Sequence, residues 1–240
     1  MTTELLFRQD AYARDCEATV VSVNDRGGIV LDRTVFYASA GGQPGDKGEI
    51  EIGGRRIPIA ATVYSEDKQA VVHVPSSPDA LPRAGDSVRA LLDWDLRHRH
   101  MRAHTALHLL CAKVPFPVTG GQIGPDGGRL DFDIDDPDAV SKERLTEEIN
   151  RLIGEDHPVG ERWITDEEMD RRPELVRTMT VKPPRGSGKV RLVMIGKDGS
   201  VDLQPCGGTH VRSTGEIGRV EVDKIEKKGK LNRRIRLVLL

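Results

Sequence analysis

The chain has 240 residues, with 36 Lys and Arg against 38 Asp and Glu, a length that suits one large domain or two ordinary ones. A 37% hydrophobic content supports a core, but no apolar run approaches membrane-spanning length, and the N-terminal MTTELLFRQDAYARD lacks the apolar stretch of a signal peptide. Cys16, Cys111 and Cys206 are odd in number and far apart, which excludes a disulfide scaffold and suits a reduced, cytoplasmic protein.

Residues 17–93 read as short strands divided by turns. EATVVSV, GIVLDRTVFYA, GEIEIGG, RRIPIAATVY and AVVHV are rich in β formers, and NDRGG, GGQPGDKG, GG and SEDKQ separate them. SSPDALPRAGD is a loop and SVRALLDW one more strand, a spacing that predicts a small antiparallel barrel or sandwich. At about Asp95 the pattern changes to helical period. A helix is expected over roughly 96–113, then turns in GGQIGPDGG, a strand in RLDFDI, and a helix from Ser141, as N-cap, to Glu155. WITDEEMDRRPELV reads as a short helix, and VRLVMIG, SVDLQPC, IGRVEVDKIEKK and RRIRLVLL as strands. The expected class is α+β: a β-barrel domain over 1–93, then a domain over 94–240 with helices packed on an antiparallel sheet.

Two spacings carry chemistry. His104 and His108 sit four apart in LRHRHMRAHTALHLLCAK, a run without Gly or Pro, so both imidazoles share one helical face. Cys206 and His210 are also four apart, in CGGTH, where two glycines argue for a tight loop. Three imidazoles and one thiolate form a set that a tetrahedral zinc ion accepts, one ion per chain. Nearby, Cys111 reads as a small buried hydrophobe, His100 as a partly exposed polar histidine, and Asp202 as a carboxylate placed to orient a ligand imidazole. Thr105 either offers its hydroxyl inside a pocket or is a helix-surface residue. Net charge hides segregation: Leu96 to Pro125 holds no acid, and the tail from Ile225 carries Lys227, Lys228, Lys230, Arg233, Arg234 and Arg236 against Glu226 alone. These tail cations suggest phosphate contacts to a nucleic acid. The turn at Gly41, Gly42 and Gln43 offers amides that a nucleic-acid backbone can meet, or is a plain β-turn.

HTALHLL followed by CGGTHV, with QIG and RLDFD between them, resembles the editing domain of alanyl-tRNA synthetase and its free-standing relatives, the AlaX proteins. FYASAGGQPGDKG, from Phe36 to Gly48, and the terminal KGKLNRRIR extend the likeness over nearly the whole chain, although Ala38 stands where the family usually has proline. With the glycine-rich β domain present and no length for an aminoacylation core or its ATP site, the chain is similar to the medium-length AlaX class. The resemblance implies an ATP-independent, zinc-dependent hydrolase that acts on tRNA(Ala) mischarged with serine, or with glycine, and spares Ala-tRNA(Ala). It also places Gln122 in the editing pocket, where a Thr105 hydroxyl would bond the serine side chain. Two alternatives stand beside it: editing of another mischarged tRNA such as Ser-tRNA(Thr), against which the GGQP segment argues, and a non-catalytic tRNA-binding module stabilised by zinc.

Overall fold

The computed structural model describes residues 2–136, 139–179, 188–229 and 231–240. Its contacts divide the chain into Met1–His98 and Arg99–Leu240. That division falls inside the longest helix, a few residues past the 93/94 boundary expected from the change of period.

In the first unit, β1 (Glu4–Leu5) pairs in parallel with β4 (Arg33–Thr34). The remaining strands are β2 (Asp15–Val23), β3 (Ile29–Leu31), β5 (Gly48–Ile52), β6 (Arg55–Tyr64), β7 (Val71–Pro75) and β8 (Ser87–Leu92). They close into an antiparallel barrel in the order β2-β3-β7-β6-β5-β8, which leaves no open edge. Alternation along the strands fills it: Val20, Ile29, Leu31, Ile50, Ile57, Ile59 and Val88 are buried together with Phe36. The expected strand does not continue through Val35–Ala38, although all four residues are buried. Side chains there take over the backbone's hydrogen bonds: Phe36 N–H donates to Thr34 Oγ1 and Tyr37 N–H to the Asp46 carboxylate. Gly41 and Gly42 have φ of 55° and 84°, the left-handed pair that a two-residue turn between Ala40 and Gln43 requires.

The helix α1 (Trp94–Lys113) follows. Without Gly or Pro it runs for 20 residues, and from Ala103 to Cys111 every residue is buried. This buried stretch lies inside the core and carries His104, Thr105 and His108 into it. Arg177 closes its C-terminal end by donating to the carbonyls of Cys111 and Val114, at 2.9 and 3.0 Å.

The rest of the second unit holds β9 (Val118–Gly124), β10 (Gly127–Asp133), α2 (Lys142–Gly154), β11 (Val159–Thr165), α3 (Asp166–Asp170), β12 (Lys189–Ile195), β13 (Asp202–Pro205), β14 (Val220–Lys227) and β15 (Asn232–Leu239). They form two antiparallel sheets, β14-β15-β10-β9 and β11-β12-β13. Ser141 caps α2 as expected, accepting from Arg144 N–H. On the exposed edge of β14, Asn150 and Thr146 of α2 answer the backbone groups of Val220 and Val222 that no strand pairs.

Two segments differ from expectation. VTGGQIG is a strand and not a run of turns, because its glycines make room for neighbours: a Cβ at Gly121 would sit 2.9 Å from a Leu130 methyl. VGERWIT is β11, so the expected helix is confined to DEEMD, where Thr165 and Glu168 form a reciprocal capping box. Among the described residues no helix is long and apolar enough to cross a membrane.

Candidate metal centre

α1 presents His104 and His108 one turn apart, with ring centroids 5.2 Å from each other. The loop after β13 brings Cys206 and His210 to the same place: His210 lies 4.2 Å from His104 and 4.6 Å from His108, centroid to centroid. One ligand atom from each of the four lies within 4.8 Å of all the others. The three histidines are 5–8% exposed, so they are held by packing and not by solvent.

The edges of this cluster fit a small tetrahedral cation. Cys206 Sγ is 3.5 Å from His104 Nε2 and 3.3 Å from His210 Nε2. Zinc bonds of about 2.3 Å to sulfur and 2.0–2.1 Å to nitrogen imply N···S edges of roughly 3.5 Å. These two edges match that value, and the cluster could hold one metal ion.

Partners behind the rings fix which nitrogen faces inward. Asp202 Oδ2 lies 2.8 Å from His108 Nδ1, as expected of that carboxylate, which leaves Nε2 toward the cluster. Gln204, also on β13, donates to the same Asp202 oxygen at 2.8 Å. Burial alone would push His108 down, but Asp202 and Cys206 outweigh it and hold the imidazole up to about 10. Burial raises the Cys206 thiol, yet His104 and His210 hold it well below its usual range. A thiolate facing a protonated imidazole is an arrangement in which a cation replaces a proton.

Thr105 is fully buried and its hydroxyl is engaged on every side. It donates to Met101 O at 2.9 Å, accepts from Val211 N–H at 3.3 Å, and lies 3.1 Å from His210 Nδ1. With His210 Nε2 turned to the cluster, Nδ1–H donates to that oxygen. This burial corrects the helix-surface reading, and the described bonds of the hydroxyl go to Met101, Val211 and His210.

Gln122 does not join the cluster by any described hydrogen bond. It pairs with Arg129 across β9 and β10, while the next pair is Ile123 with Gly128. A Cβ at Gly128 would meet Leu107 of α1 at 2.8 Å, so α1 packs on the Gly128 face and the exposed Gln122 points to the opposite one. His100 is buried, at 3% exposure, and not partly exposed as expected. Cys111 is the buried thiol anticipated, and burial pushes its pKa up to about 11.

The residues expected to meet nucleic acid divide. Lys227 and Lys228 are exposed, whereas Lys230 lies outside the described residues. Arg233 is 7% exposed and turned to backbone carbonyls of its own hairpin. Arg234 makes a two-point ion pair with Asp131 on the adjacent strand, both contacts at 2.8 Å. Gly41 and Gly42 are exposed in their turn, but Gln43 is 1% exposed, so its side chain is not offered to a partner.

Sequence reasoning missed Gln204 and Arg191. Arg191 is the one charged residue within the VRLVMI run, a signal that a strand arginine has a polar task inside the fold. Its guanidinium donates to Cys206 O at 2.9 Å and to Gly208 O at 3.0 Å.

The sequence is similar to known proteins. The family described as the threonyl and alanyl tRNA synthetase second additional domain matches residues 190–236, which include the CGGTH loop. The class II (A) tRNA synthetase family matches residues 10–96. Over 99% of the chain, the sequence is 35% identical to an alanyl-tRNA editing protein AlaX-M of Methanosarcina acetivorans, covering 99% of that protein. An AlaX-M of Methanosarcina mazei is also 35% identical, over 99% of this chain and 97% of its own. An AlaX-L of Pyrococcus horikoshii is 34% identical over 95% of this chain, which spans 55% of that longer protein.

Proposed function

The chain belongs to the AlaX family of alanyl-tRNA editing proteins, and from that premise we propose that it is a zinc-dependent, trans-acting deacylase of mischarged tRNA(Ala) in the cytoplasm. Its substrates are Ser-tRNA(Ala) and Gly-tRNA(Ala), and Ala-tRNA(Ala) is spared. The observation that carries this reading is the convergence of three imidazoles and one thiolate in a scaffold matched from end to end by AlaX-M proteins. Serine and glycine differ from alanine by a hydroxyl or a methyl, differences that an apolar aminoacylation pocket rejects poorly. A second, hydrolytic sieve is the chemical remedy.

His104, His108, Cys206 and His210 would hold the zinc, which would supply Lewis acidity beside the ester, softened by the thiolate charge. The chain's own residues then orient these ligands. Asp202 keeps the His108 proton on Nδ1, and Gln204 steadies Asp202. Thr105 does for His210 what Asp202 does for His108. The exposed Gln122 is left as a contact for the tRNA terminus and not as a residue acting on the ester.

Hydrolysis of purified Ser-tRNA(Ala), Gly-tRNA(Ala), Ala-tRNA(Ala) and Ser-tRNA(Thr), with and without chelator, tests the assignment. Rapid, chelator-sensitive release of serine and glycine from tRNA(Ala) is expected, with alanine retained. Preference for Ser-tRNA(Thr) would move the substrate to another tRNA. An ester half-life independent of protein concentration would leave only a binding module.

Thr105→Val keeps the side chain's size but strands the His210 Nδ1–H and Val211 N–H donors. A cost of about 1–3 kcal/mol is expected for such unmatched buried groups. Since the hydroxyl serves a ligand, serine and glycine release should fall together. A loss confined to the serine substrate would restore the hydroxyl to substrate recognition.

For tRNA affinity, Lys227 and Lys228 are exposed tail cations, Lys228 lying 3.7 Å from the Glu226 carboxylate. Lys227→Ala with Lys228→Ala should weaken binding and flatten its salt dependence by up to about two phosphate contacts. Arg234→Ala should leave the salt slope nearly unchanged, because its charge is already spent on Asp131. Equal slopes for all three proteins would mark the two lysines as solvated surface.

A further inference from the structure

Resting on the zinc reading above, we propose that Arg191 is the positioning residue for the Cys206 ligand. One guanidinium nitrogen, Nη1, donates to both Cys206 O and Gly208 O, at 2.9 and 3.0 Å. The backbone carbonyl of the same residue accepts Cys206 N–H at 3.2 Å. Residue 191 thus grips both peptide groups of Cys206 and the second glycine after it.

Between the gripped carbonyls the loop has little else to fix its path. A Cβ at Gly207 would meet nothing within 4 Å, so open space lies on that side of the residue. Yet the thiolate direction is sharply defined, because Gly208 N–H donates to Cys206 Sγ at 3.4 Å. That bond needs the peptide between Gly207 and Gly208 to keep its orientation, and Arg191 holds the peptide groups on either side of it, through Cys206 O and Gly208 O.

The guanidinium is itself anchored. Nε donates to Glu161 on β11, and the Arg191 side chain is only 13% exposed. Glu161, Arg191 and the Cys206 loop form a chain of contacts from the edge strand β11 across β12 to the metal cluster. A planar five-donor group suits this task, since it reaches two carbonyls and one carboxylate at once. A lysine ammonium on a flexible stem cannot hold all three in one plane.

Arg191 touches no candidate ligand atom directly, so its loss should act on the metal and not on the chemistry. In Arg191→Met the zinc affinity, measured by competition with a chromophoric chelator, should fall about 10- to 100-fold, as outer partners of metal ligands typically cost. The cobalt-loaded protein should lose or shift its thiolate-to-metal charge-transfer band. Arg191→Lys should fall between wild type and Arg191→Met, and Glu161→Gln should show a smaller shift of the same sign. The metal-free forms should unfold at nearly the wild-type temperature, which separates positioning from general support of the sheet. Unchanged affinity and an unchanged cobalt spectrum in Arg191→Met would overturn the proposal. If Arg191→Met does not fold, an unshifted Glu161→Gln would overturn it instead. Wild-type protein that binds neither metal would sink the zinc reading itself, a result distinct from one in which only Arg191 proves idle.

Discussion

Cys206→Ala is expected to purify without metal and to have lost deacylation, while its fold persists. The thiolate is the one anionic group among the four candidate ligands, and His104 and His210 already hold it in that form. Its removal leaves three neutral imidazoles to neutralise a divalent ion, and takes away a partner that holds the His108 proton. The loss of affinity should exceed the roughly 10- to 100-fold that an outer partner costs. A linked effect on stability follows. A ligand present at a thousand times its Kd stabilises the folded state by about 4 kcal/mol. Wild-type protein should therefore unfold at a lower temperature in chelator, whereas Cys206→Ala should unfold at one temperature with or without it. Equal zinc content in the two proteins would remove Cys206 from the site, and retained activity on three histidines alone would show that the thiolate is dispensable.

The metal cluster was legible because both halves follow from spacing. An i, i+4 pair in a run of helix formers has one geometry, and Asp202 could be placed because ligand imidazoles need an acceptor for their second nitrogen. The barrel was legible because its strands alternate and its turns are rich in glycine. What spacing does not carry is the direction of a side chain relative to an unseen partner. Thr105 is next to His104 in sequence, but whether its hydroxyl meets a substrate or His210 depends on a loop a hundred residues away. Gln122 sits in a strand whose glycines disguised it as a turn, and its face is decided by pairing with β10. Arg233 and Arg234 read as free cations because their neutralising groups, hairpin carbonyls and Asp131, are distant in the chain or belong to the backbone. GGQPGD was the most misleading segment. Its glycines point to exposed amides, whereas its buried aspartate has the larger energetic consequence.

Asp46→Ala is expected to destabilise the barrel severely. Asp46 and Arg97 form an ion pair with side chains 1% and 0% exposed, through both carboxylate oxygens and Nε and Nη2. The arginine also donates to Val35 O and Ala11 O, and the aspartate accepts from Tyr37 N–H. All of these groups belong to Met1–His98, so the pair ties the first turn of α1 to the barrel that precedes it. Removing one partner leaves a guanidinium buried and uncompensated, at a cost of about 3–5 kcal/mol. At about 2–4 °C per kcal/mol for a chain of this size, the barrel's transition should fall by roughly 6–20 °C. Asp46→Leu with Arg97→Met removes both charges at similar bulk, and should cost less than Asp46→Ala despite the carbonyls it leaves without donors. Zinc content below the transition should not change, because all four candidate ligands lie in Arg99–Leu240. A double variant as unstable as the sum of its single changes would show that the charges do not depend on each other. A single variant within about 1 kcal/mol of wild type would return the GGQPGD aspartate to a role at the surface.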